Sequence, residues 1–347
     1  QEVETVVWLI RNHLVMSDVA QKRDLSDPRT VRDFVQTVKS TNRLHLLTIL
    51  TVCDIRGVGP NTWNNWKAQL IRTLYFASQQ ALQGGAQPHR LEEAKTALKD
   101  ALGKKKEALY LAELERHYDP YWQGLDTATH VIFAKLFEKL KGDKISIDIV
   151  ADADRDATQA CFVMQDHPGI FTRLAGALAL VGANVVDART YTSNDGYATA
   201  AFWVQDMDGK PYEEARIIRL KNMILKTLKG EVIASEALKT RDKLKKRERD
   251  FIVPTVITFD NEGSEIYTII EVDTRDRPGL LHDLTHTLNR ANIYIASAVI
   301  ATYGVQAVDV FYVKDMFGHK IHAKTKRNII EKKLRDAIVQ GAKGAMS

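Results

Sequence analysis

The chain has 347 residues, of which 45% are hydrophobic and 27% charged, and a formal net charge of +5. That length suits two or three domains with separate cores, and the composition excludes a disordered or fibrous chain. No apolar run reaches the roughly 18 residues of a membrane span, and so mild a charge points to no nucleic-acid partner.

The opening residues, QEVETVVWLIRNHLVMS, read as mid-helix and carry acids where a signal peptide is basic. They also lack an initiator Met, so a fragment of a longer protein is expected. Residues 1–142 read as all-helical. The run 44–55 (LHLLTILTVCDI) is apolar nearly all round, which predicts a helix buried at the centre of a bundle. It ends at Gly57, Gly59 and Pro60; Asn61 is the expected cap of the next helix, in which Trp63, Trp66, Leu70 and Leu74 recur at helical spacing. A loop is expected at 84–90, one charged amphipathic helix at 91–117, and another helix from Asp119-Pro120 to about 140. Cys53 and Cys161 sit in apolar runs and predict free buried thiols of a reducing, cytoplasmic compartment. The basic stretch 239–249 (KTRDKLKKRER) reads as a solvated linker helix.

After Gly142 short β-rich runs alternate with amphipathic helices, and a repeat appears. Asp166-His-Pro-Gly169-Ile170 recurs as Asp276-Arg-Pro-Gly279-Leu280, an offset of 279 − 169 = 110 positions. The offset holds through Leu178/Leu288, Ala188/Ala298 and Thr192/Thr302, and slips by one at Gly209/Gly318. In each copy a strand (158–164; 267–272) leads into D-x-P-G and a helix (169–181; 279–291). Two strands (185–192 and 198–204; 293–302 and 306–313) and a closing helix follow. This is βαββα twice, helices on one face of an antiparallel sheet. Copies of about 70 residues are marginal alone, so pairing edge to edge or through their sheets is expected, with grooves between the loop of one and the strand of the other.

The D-x-P-G turn carries the ligand chemistry. Proline fixes the bend, glycine allows close backbone approach, and the helix that starts there offers amide donors and a positive dipole end to a carboxylate. Asp166 and Asp276 can complement an ammonium or fix the loop. Asn184 is the expected polar partner in the first copy, replaced by Tyr294 in the second. The ligand-binding candidates are Asp166, Gly169, Ile170 and Asn184, with Asp276, Gly279 and Leu280, and the expected ligand is a small amino acid.

D-[HR]-P-G-[IL] followed by Gly182-Ala-Asn184 resembles the ACT domain family of amino-acid-binding modules. The helical motifs W-L-I-R-N-H-L-V-M-S (8–17), R-D-L-S-D-P-R-T (23–30), L-L-T-I-L-T-V-C-D-I-R-G-V-G-P (46–60) and W-N-N-W-K (63–67) look like the second half of an HD-type phosphohydrolase domain. Together they resemble the bacterial bifunctional uridylyltransferase/uridylyl-removing enzymes. The resemblance implies a multidomain chain: an all-α HD-type remnant with linker helices (1–142), then two α+β ferredoxin-like (βαββαβ, ACT) domains at 143–250 and 251–347. It implies the PII nitrogen-signalling protein as partner, glutamine as effector, and a divalent metal, Mg or Mn, in the parent enzyme. Asp54 matches the last metal ligand of the HD family, with His13 a second candidate. The preceding His-Asp dyad and the nucleotidyltransferase domain are absent, so no complete catalytic set is expected in this chain. The competing reading is a stand-alone amino-acid sensor without catalysis. His282-Asp283 with His286 imitates a zinc H-E-x-x-H pair, but no third ligand is evident, and solvent or interface histidines are expected.

Overall fold

The computed structural model describes residues 2–59, 62–84, 88–140, 145–206, 208–232, 253–303 and 305–346. Five helices open the chain: α1 (Glu2–Asn12), α2 (Val15–Lys22), α3 (Pro28–Val38), α4 (Thr41–Val58) and α5 (Asn65–Leu82). Polar caps fix the starts of α3, α4 and α5, because the first amides of a helix lack internal partners. Asp27 accepts from the amide of Arg29 at 2.9 Å, and Asn64 from that of Lys67 at 2.9 Å. Asn61, the cap expected from sequence, lies outside the described residues, as does the 239–249 stretch. Met16, Phe34, Leu44, Leu47 and Leu74 form the core of this layer.

The central burial expected for α4 is not found. Leu44, Leu47, Thr51 and Ile55 are buried, but Ile49 is 62% exposed, and Cys53 and Asp54 are exposed. Helices α1, α2, α3 and α5 cover one side of α4, so its opposite apolar side faces outward. Next come α6 (Pro88–Leu102), a 3₁₀ turn (Lys104–Lys106), α7 (Glu107–Arg116), α8 (Asp119–Gly124) and α9 (Thr127–Lys139). The single helix expected at 91–117 is broken at Gly103, whose φ of +73° leaves the helical region.

Among the described residues, the rest is one eight-stranded antiparallel sheet with four helices on one face. The first copy comprises β1 (Ile145–Asp152), β2 (Ala157–Gln165), α10 (Ile170–Leu180), β3 (Asn184–Thr192), β4 (Tyr197–Gln205) and α11 (Glu214–Leu228). The second comprises β5 (Val256–Asp260), β6 (Thr268–Arg275), α12 (Leu280–Arg290), β7 (Ile293–Tyr303), β8 (Gln306–Asp315) and α13 (Lys324–Met346). The order across the sheet is β1-β2-β4-β3-β7-β8-β6-β5. Each copy is therefore ββαββα rather than βαββαβ. The outer strand, which the ferredoxin-like order adds last, comes first and pairs with the second strand at the same edge. Ile145, Ile147 and Ile149 alternate with polar residues, the period-two signature of a half-covered strand.

The copies join edge to edge. Asp187 pairs with Val299, Ala188 with Ala298 and Arg189 with Ser297. Ala188 and Ala298 are repeat partners, so a pseudo-twofold axis passes between them and the two halves of the sheet continue into one another. One core fills the space beneath the four helices, with Phe162, Leu174, Leu178 and Phe202 from the first copy and Leu284, Leu288, Phe311 and Leu334 from the second. Burial of this kind stabilises at about 25 cal/mol per Å² of apolar surface, which neither small copy secures alone. Helices α8 and α9 cover the other face of copy one through Trp122, Phe133 and Leu136 against Cys161, Val163 and Trp203. The turn after α2 covers the other face of copy two, where the amide of Asp24 donates to Tyr312 Oη at 2.8 Å.

Candidate functional site

The first D-x-P-G turn lies at one end of the β3–β7 junction. The amide of Asp166 donates to Gly196 O at 3.0 Å, and Thr192 Oγ1 donates to Asp166 Oδ2 at 2.6 Å, so the carboxylate is held against the last residue of β3. Gly169 caps α10 with φ +85°, a left-handed conformation that disfavours any side chain. A Cβ built there would come 2.7 Å from Nδ2 of Asn289, across the pseudo-dyad on α12. A groove of about 600 Å³ opens at this point, within the usual range for small-molecule sites. Asp166, Gly169 and Ile170 line one wall, Asn289 and Tyr294 the other, and Tyr118, between α7 and α8, lines it as well. Tyr294 Oη sits 3.5 Å from Thr192 Oγ1, and burial pushes its phenol up to about 12, so it is a neutral hydroxyl at ordinary pH. The groove thus offers a carboxylate, hydroxyls, a side-chain amide and a helix start, a donor–acceptor set that complements a zwitterion.

Of the sequence candidates, Asp166, Gly169 and Ile170 meet in this groove. Asn184 does not. It begins β3, whereas Thr192 ends it, roughly 26 Å of strand away. Antiparallel pairing crosses the copies, so the residue facing the first turn comes from β7 of the second copy: Tyr294, the repeat partner of Asn184. Tyr118 had no sequence signal, because it belongs to the helical part. Thr192 was visible as a repeat position, without a role.

The second turn is built alike and pinned differently. Gly279 again caps its helix in the left-handed region, with φ +77°. Asp276, Gly279 and Leu280 do not line the groove of the first turn. Arg277 is buried and pairs with Asp283 at 2.5 Å; Gly341 of α13 packs so closely that a Cβ there would lie 1.8 Å from Arg277 Nη2. At the matching positions of copy one, Nη1 of the exposed Arg173 lies 2.9 Å from Nε2 of the half-buried His167, and Nη2 donates to Leu228 O. An ion pair thus locks the second turn under its closing helix, while the first stays at the edge of an open groove.

The expected metal candidates fare differently. His13 is exposed and its Nδ1 lies 2.9 Å from Ile10 O, and Asp54 is exposed rather than buried on its helix. Among the described residues no group of three His, Cys, Asp or Glu is placed to hold a metal ion. His282 and His286 stack with ring centroids 5.8 Å apart, and Nδ1 of His282 lies 3.6 Å from Asp283; they form no such group either. Among the described residues no helix is long and apolar enough to cross a membrane.

Residues 256–345 match the family of ACR9-like, ACT-like domains. Along its length the chain is similar to the bifunctional uridylyltransferase/uridylyl-removing enzyme of Cereibacter sphaeroides, with 65% identity over 99% of this chain and 38% of that protein. It is 63% identical to the corresponding enzyme of Ruegeria pomeroyi over 99% of this chain and 39% of that protein. The enzyme of Rhodospirillum rubrum is 40% identical over 98% of this chain. The chain therefore spans less than two fifths of the relatives it matches.

Proposed function

Since this chain is a homologue, over 99% of its length, of the bifunctional uridylyltransferase/uridylyl-removing enzymes, we propose that it is the effector-sensing portion of such a protein. The parent protein adds UMP to the PII nitrogen-signalling protein and removes it again, and glutamine bound between the two ACT-like copies reports the nitrogen state. The groove at the first turn carries the reading: Asp166, Thr192 and Tyr294 converge where α10 begins, and Gly169 leaves room for a ligand's backbone-like end.

The helical part supplies at most part of a hydrolase. A divalent ion, magnesium or manganese, needs ligands beyond His13 and Asp54. Helices α8 and α9 rest directly on copy one, so a change in the pairing of the copies reaches the helical part through packed side chains. Glutamine shifts that packing only by its difference in affinity between two arrangements. The free thiols of Cys53 and Cys161 support a reducing, cytoplasmic setting. Relatives named for two catalytic activities give no support to a stand-alone sensor.

Calorimetry of the chain with glutamine tests the reading. Binding is expected in the parent and at least tenfold weaker in Thr192→Val, which frees Asp166, and in Gly169→Val, which fills the groove. Equal affinity in both variants, each shown folded by its melting curve, contradicts it.

A further inference from the structure

We propose that a cavity between the helical layer and the opposite end of the β3–β7 junction is a second effector site, for a small zwitterion such as an α-amino acid. It is independent of the groove reading: none of the D-x-P-G residues lines it. The cavity measures about 170 Å³ and is walled by Trp66 and Lys67 of α5, Asp187 of β3, Gln205 of β4 and Thr302 of β7. A single water occupies about 15 Å³ on this kind of measure, so the space takes a molecule of several heavy atoms.

Two of its charged groups stand apart from the rest. Arg23 is paired with Glu271 at 2.9 Å. Arg155 is paired with Asp126 at 2.8 Å and Asp152 at 2.7 Å. Arg189 is shared by Asp24 at 3.1 Å and Asp187 at 3.3 Å, and it also donates to Gly124 O. Those three guanidiniums are engaged. Asp187 gives only Oδ2 to Arg189; its Oδ1 is buried without a hydrogen-bond partner among the described residues. Lys67 donates to Thr62 O at 2.8 Å, has further donors to offer, and pairs with no carboxylate among the described residues. The buried Oδ1 of Asp187 is costly to leave without a partner, and the half-buried Lys67 has donors to spare at the same cavity. A ligand with its ammonium on Asp187 and its carboxylate on Lys67 satisfies both.

Burial bears on both partners in the direction this requires. It pushes the Asp187 carboxyl up, against the pull of Arg189, and the Lys67 ammonium down. Each therefore gains an opposite charge when the zwitterion binds. The position also matters. Asp187 reaches Asp24 through Arg189, and Asp24 in turn accepts from Ser297 Oγ at 3.1 Å on β7. A ligand on Asp187 thus acts on the network that ties the helical layer to both copies at the pseudo-dyad.

Calorimetry of the full chain with each proteinogenic amino acid in turn tests the proposal. At least one is expected to bind in the parent and in Thr192→Val, to weaken at least tenfold in Lys67→Met and Asp187→Asn, and to recover in part in Lys67→Arg. Lys67→Met removes one hydrogen bond to a carbonyl, so its melting curve should stay within a few degrees of the parent. No amino acid whose binding depends on Lys67 overturns the site, and so does one that binds Lys67→Met as tightly as the parent. Loss in Thr192→Val alone concerns the groove and leaves the two sites distinguishable.

Discussion

The two copies have the same strand order, the same D-x-P-G bend and the same left-handed glycine cap, yet three of the paired differences change how each is held. His167 and Arg173 in the first copy become Arg277 and Asp283 in the second. Like or neutral partners become an ion pair, and the second turn is clamped beneath α13. The third difference lies under the helices. Strand pairing sets Phe162 opposite Ala200 in copy one and Val272 opposite Asp309 in copy two. Asp309 is 2% exposed, its Oδ1 has no partner among the described residues, and burial, with the nearby Asp276, raises its carboxyl to about 8. A repeat thus preserves backbone geometry while its side chains divide the work: one copy keeps an open groove, the other a locked turn over a protonated acid.

Removing the clamp should have the largest effect. Arg277→Ala strips a buried guanidinium from Asp283 and is expected to destabilise the chain by about 2 kcal/mol, whereas Arg173→Ala at the exposed matching position should cost about 0.5 kcal/mol or less. Thermal or urea unfolding of both variants checks this, and equal losses would erase the asymmetry between the turns. The buried acid gives a smaller, pH-dependent effect. Its folded-state pKa lies above the unfolded value, so the native state holds an extra proton between about pH 4 and 8 and loses stability as pH rises through that window. Asp309→Asn should therefore gain in melting temperature over the parent from pH 5 to pH 8, with the gap widening. Parallel curves would show that Asp309 is ionised and solvated.

Much of this architecture was legible in the chain. The 110-residue offset located six of the eight strands, both turns and all four sheet-covering helices, because hydrophobic period and turn chemistry are local properties. The outer strands β1 and β5 were missed, since a short edge strand with one polar face imitates a loop. Reading α4 as central failed because burial depends on which neighbours lie against a helix, and its apolar run is silent on that. Asn184 does not reach the groove of the first turn for a related reason. Pairing Ala188 with Ala298 carries each strand start to the other copy's loop, and no local pattern records which edges meet. The charge network of Asp24, Arg189 and Asp187 joins residues more than 160 positions apart and left no trace in the sequence.

Hydrogen–deuterium exchange with and without glutamine tests the central claim, that the copies sense the ligand unequally. Protection should rise at 166–173 and 289–295, the two walls of the open groove, and stay unchanged at 276–283. Equal protection of both turns, or none at the first, would contradict it.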